Sequence, residues 1–156
     1  MNTLVLLGAA LIPMVMGFIW YNPAVLGKAW MNAAGMTEEK MKGANMAVIF
    51  GLSFVFAIML SFILHPIVIH QLAVKSIFFY EPESPDLAEF LAKYGDHFRT
   101  FKHGALHGTV AGLFIALPVL GTNALFERKN FKYIAINAGY WAVTMALMGG
   151  VICQFG

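Results

Sequence analysis

The stretch GALHGTVAGLFIALPVLGTNALF, Gly104 to Phe126, contains no Lys, Arg, Asp or Glu. Four residues later FKYIAINAGYWAVTMALMGGVIC, Phe131 to Cys153, repeats the pattern with Lys132 as its one charge. At a rise of about 1.5 Å per residue, each run is long enough as a helix to cross roughly 30 Å of hydrocarbon. The polar link Glu127-Arg128-Lys129-Asn130 is too short for anything but a tight helical hairpin. Two apolar runs joined this closely read as neighbouring antiparallel transmembrane helices.

Working outward, two further runs have the same character: Thr3 to Tyr21, and Ala47 to Ile69. The whole chain agrees with them, since 60% of its 156 residues are hydrophobic and only 12% charged. Mean hydropathy is +0.73, whereas a soluble domain carries about a quarter charged residues. The expected fold is therefore all-α, a single membrane domain over residues 1–156 built as a four-transmembrane-helix bundle. The first run lacks a basic leader and ends in Trp20-Tyr21, so it reads as a retained span whose end is anchored at the interface. Pro13 is placed to kink it. A net charge of +2 gives no reason to expect nucleic acid as a partner, and one cysteine, Cys153, rules out an internal disulfide.

The loops carry structure of their own. In loop one, Asn22-Pro23 marks a turn and Trp30 suits a short amphipathic helix in the headgroup layer. Thr37 followed by Glu38 and Glu39 has the chemistry of a helix start, which predicts that the second span begins outside the membrane near Glu38. In loop two, Ser84-Pro85 opens an amphipathic helix over about 85–95, with Leu87, Phe90, Leu91 and Tyr94 on its apolar face. Loops one and three hold Lys28, Lys40, Lys42, Arg128, Lys129 and Lys132, against Lys75, Lys93, Arg99 and Lys102 elsewhere. The positive-inside rule then predicts cytoplasmic loops one and three, with the termini and loop two periplasmic.

Helices in lipid associate through close packing, so small residues are informative. Gly104, Gly108 and Gly112 form a row on span three, and Ser53, Ala57 and Ser61 a row on span two. Span four offers Ala135, Gly139, Ala142, Ala146 and Gly149. Packing within one bundle is the plain reading of these rows; a homo-oligomer or larger membrane complex is the other.

All five histidines fall beside loop two: His65, His70, His97, His103 and His107. His103 and His107, one helical turn apart, share a face and suit a shared metal ion. His65 or His70 is placed to add a third imidazole; both together would need a distortion at Pro66. Loop-two carboxylates, or a haem held between two histidines, are further options. Histidine at a membrane rim also serves structure alone, or relays protons. No phosphate loop, nucleophile elbow or zinc–thiolate motif is present, so no catalytic residue is assigned and an enzyme is not expected.

Trp20-Tyr21-Asn22-Pro23, followed by Leu26-Gly27-Lys28-Ala29-Trp30, resembles the signature of a bacterial membrane family, domain of unknown function 1761. Asn123-Ala124-Leu125-Phe126-Glu127 and Ile136-Asn137-Ala138-Gly139-Tyr140 fit its second half. The resemblance implies a small four-span protein of the bacterial inner membrane and brings no catalytic residues or cofactor with it. The functional expectation is a non-enzymatic binding module or accessory subunit. A small transporter or channel using the histidines for protons or metal ions is the alternative, followed by a metal- or haem-binding redox protein.

Overall fold

Inside a bilayer every backbone amide has to find its partner within its own helix, and the apolar runs comply. The computed structural model describes residues 2–156 and is all-helical among them. Four helical segments are long and apolar enough to cross a membrane: Thr3–Trp20, Met46–Val68, Phe101–Phe126 and Phe131–Phe155. Three of them open on a short polar cap. Asn45, Thr100 and Asn130 each accept a hydrogen bond from the backbone N–H three residues on, at 3.2, 3.3 and 2.9 Å, satisfying a donor that the first turn leaves free.

The first span is two pieces, α1 (Thr3–Ala9) and α2 (Ile12–Trp20). Pro13 lacks the N–H that would continue the ladder, so the chain breaks at Ala10-Leu11 and restarts with proline in the first turn. Loop one holds α3 (Gly27–Ala34), closed by the left-handed Gly35, and the single turn α4 (Glu38–Met41). Thr37 caps α4 as its residue type predicts, but the helix does not run on into the second span. Lys42 is extended, Gly43 is left-handed at φ 87°, and Asn45 starts a new helix. The polar cap at Asn45 thus fixes the start of α5 (Met46–Val68), not the acidic turn at Glu38.

Loop two contains α6 (Gln71–Ile77), which carries no periodic signal in sequence, and α7 (Pro85–Tyr94), where the amphipathic pattern predicts a helix. Ser84 precedes Pro85 at the start of α7, although its hydroxyl makes no capping bond. The third span consists of α8 (Phe101–Ala111), a widened π-helical turn (Gly112–Ala116) and α9 (Leu117–Phe126). The wide turn sits just before Pro118, whose ring and missing N–H disturb the preceding turn of a helix. After a hairpin with Arg128 in the left-handed region, α10 (Phe131–Phe155) completes the bundle.

Helix α10 is the hub. It is 61% buried over its most apolar window, against 17–22% for the other three spans. Leu6 and Ala9 of α1, Leu64 and Val68 of α5, and Ala111 of α8 close around its Met145, Met148, Ile152 and Cys153. The closest approach is made by the glycine row of α8. A Cβ on Gly104 would lie 2.1 Å from the Gly149 oxygen, one on Gly108 2.0 Å from the Met145 oxygen, and one on Gly112 2.6 Å from the Ala142 Cα. This row is therefore the intramolecular seam between spans three and four. On α5, Ala57 and Ser61 are buried, but Ser53 is exposed and takes no part in the packing. Ala135 of α10 likewise faces outward.

A substitution at the seam tests this packing. Gly108→Ala is expected to lower stability by about 1–3 kcal/mol, the cost of overpacking a closed contact. Gly51→Ala, whose added methyl meets nothing within 4 Å, should leave it unchanged or raise it by up to about 1 kcal/mol, alanine being the better helix former. Thermal unfolding in detergent micelles distinguishes the two.

Candidate metal centre

Two chain features bring imidazoles to one point. Helix α5 carries Pro66 in its last turn and ends at Val68; Ile69 is then extended at φ −116°, ψ 95°. His70 follows that corner and leads into α6, so it stands clear of the face that His65 occupies. On the other side, Thr100 accepts the His103 N–H and starts α8. His103 and His107 each precede a seam glycine by one residue. They consequently share an angular offset of about 100° from the contact with α10.

The result is a three-imidazole cluster. One ring nitrogen from each of His70, His103 and His107 lies within 4.8 Å of the other two. His70 Nε2 and His103 Nε2 are 2.9 Å apart, a hydrogen bond in which one ring donates and the other accepts. Ring centroids are 4.9 Å apart for His70–His103, 4.8 Å for His70–His107 and 4.4 Å for His103–His107. Phe98 stacks on His103 at 5.0 Å and 25°. His70 is exposed and the other two are half-buried.

The donor set suits a metal ion. Imidazole nitrogens bound tetrahedrally at about 2.0–2.1 Å stand roughly 3.3 Å apart, so small side-chain rotations bring these three into range. Three protein ligands also leave one position open for water or a further donor. Among the described residues no loop-two carboxylate joins the group. The rings pack directly on one another.

The remaining candidate residues lie elsewhere. His65 is buried on α5 and lines a separate cavity of about 340 Å³ with Lys75, Asp96 and Arg99. His97 is exposed and faces Tyr94 at 5.2 Å, ring to ring. Cys153 is fully buried, its thiol directed at the Val68 and Phe98 carbonyls at 3.2 and 3.3 Å. Two residues that sequence reasoning missed hold this rim together. Gln71 donates to the Tyr94 and His97 carbonyls at 2.9 and 2.8 Å, pinning α6 to the end of α7. Arg99, legible only as a loop charge, donates to the carbonyls of Cys153 and Gly156 at the end of α10.

At the opposite rim, Trp20 and Tyr21 bond to the fourth span. The Trp20 indole N–H donates to the Ile136 carbonyl at 3.0 Å, and the Tyr21 hydroxyl to Asn137 Oδ1 at 2.8 Å. Trp30 meets Tyr21 edge to face at 5.5 Å. Gly27 packs against the backbone of Tyr21 and Asn22, where a Cβ would meet the Tyr21 oxygen at 2.3 Å. Tyr140 completes the lock by donating to the Pro13 carbonyl at 2.7 Å.

The family described as protein of unknown function (DUF1761) matches residues 4–153, nearly the whole chain, and the chain belongs to it. No curated protein and no solved structure matches the chain. Two of the three stretches that carry the resemblance, residues 20–30 and 136–140, form the two halves of the lock just described.

Proposed function

We propose that this member of the DUF1761 family is a non-enzymatic metal-binding protein of the bacterial inner membrane. It holds one borderline divalent ion, of the zinc or copper class, between the end of its second span and the start of its third. The observation that carries this reading is the convergence of His70, His103 and His107 within 4.8 Å. Neutral imidazole is a good ligand for such ions and a poor one for magnesium or calcium. Direct ring packing favours a bare ion over a haem. The surroundings favour capture over passage: the core between the spans is formed mainly by apolar side chains such as Leu6, Leu64, Met148 and Ile152, with the buried Ser61 and Thr144 hydroxyls isolated among them. With loops one and three cytoplasmic, as their lysines and arginines suggest, the cluster faces the periplasm. The open ligand position then suits transfer to or from a partner at that surface.

Purified protein should bind Zn²⁺ at one ion per chain by isothermal titration. Replacing His70, His103 or His107 with Ala is expected to weaken binding by more than about 10-fold, since even supporting groups around a metal are worth that much. His97→Ala, outside the cluster, should leave it unchanged. Affinity should fall from pH 7.5 to pH 5.5, because a protonated imidazole has no lone pair to donate. Binding unaffected by all three cluster variants rejects the site.

Orientation is tested separately with a membrane-impermeant maleimide on spheroplasts. Cysteine placed at Tyr80 in loop two should be labelled directly, and cysteine at Glu38 in loop one only after permeabilisation. Cys153 is buried and stays silent. The reverse pattern would turn the cluster to the cytoplasm.

A further inference from the structure

The geometry points to a lipid-binding groove at the rim opposite the histidines, one that retains a single anionic glycerophospholipid. A cavity of about 620 Å³ opens between α2, α5 and α10. Gly17 and Ser53, small residues on its two walls, supply no bulk to fill it. Phe18 and Phe50, with ring centroids 5.6 Å apart, form its outer lip, and Tyr21 and Tyr140 line it beside the lock with span four. The hydroxyls of both tyrosines are already engaged, with Asn137 and with the Pro13 carbonyl. The groove therefore offers its occupant aromatic and aliphatic surface, which suits an acyl chain.

Charge selects the headgroup. The groove lies in the half of the bundle next to loops one and three, which carry Lys28, Lys40, Lys42, Arg128, Lys129 and Lys132 against Glu38, Glu39 and Glu127. Six cations against three anions give this rim a net charge of +3. Loop two, with Lys75, Lys93, Arg99 and Lys102 against Glu81, Glu83, Asp86, Glu89 and Asp96, carries −1. Basic segments at a membrane surface attract anionic headgroups. A chain held in the groove places its headgroup at the basic rim, so apolar fit and charge act on the same molecule.

Native mass spectrometry of the full chain, equilibrated with equal parts phosphatidylglycerol and phosphatidylethanolamine in mild detergent, tests this. One phosphatidylglycerol per chain should be retained, in preference to phosphatidylethanolamine by roughly 5-fold, the effect of about one basic residue near an anionic surface. Gly17→Leu and Ser53→Leu fill the groove from opposite walls and should each abolish that retention. A Cβ at Gly17 meets only the Tyr140 hydroxyl, at 3.8 Å, and Ser53 is exposed. Helicity by circular dichroism identifies which variants remain folded, and either one suffices. Equal retention of the two lipids, or undiminished phosphatidylglycerol in a folded variant, overturns the proposal. Zinc binding at the other rim plays no part in the readout, so this result is separable from that of the metal site.

Discussion

Backbone-to-backbone contact between the third and fourth spans is the constraint that organises this bundle. Hydrocarbon solvates apolar side chains as well as protein does, so helices in a bilayer gain from contact only where they pack more closely than lipid can. Gly104, Gly108 and Gly112 allow that approach, and the carbonyls and Cα atoms of Gly149, Met145 and Ala142 fill the space their side chains would take. With this seam closed, the rotation of α8 about its own axis is set. His103 and His107, one residue ahead of two seam glycines, are then held on a common face. The position of His70 depends on a second, local feature: the extended Ile69 that follows the proline-bearing end of α5.

The other rim obeys a different logic. There the broken first span is held to α10 by directional bonds, Trp20 to the Ile136 carbonyl, Tyr21 to Asn137 and Tyr140 to the Pro13 carbonyl. Bonds of this kind are worth only about 0.6–2 kcal/mol each within membranes, but three of them fix α2 in angle and depth. Beside them lies the groove lined by α2, α5 and α10. One end of the molecule is therefore a histidine-bearing rim under short surface helices, and the other a basic rim over an apolar groove.

Much of this arrangement was legible in the chain. Length and hydropathy give the four spans, since a bilayer accepts few other solutions. The glycine row announces a seam, and topology gathers the histidines at one face. The start of α5 was misjudged because Thr37-Glu38-Glu39 is a sound helix start that Gly43 cuts short after one turn. Helix α6 escaped because its apolar positions are too few for a period to emerge. Which of His65 and His70 would meet the α8 pair depended on the backbone at Ile69, a single extended residue that no side-chain pattern reports. The roles of Gln71 and Arg99 were equally hidden, as each bonds to carbonyls distant in sequence. Residue type indicated the chemistry available at each end; only tertiary contacts chose the participants.

Zinc K-edge X-ray absorption on the metal-loaded protein addresses the histidine cluster most directly. The structure predicts three imidazole nitrogens and one exchangeable oxygen donor at about 2.0–2.1 Å, with the multiple-scattering signature of imidazole. A shell dominated by carboxylate oxygen, or one with a single imidazole, would contradict the convergence of His70, His103 and His107.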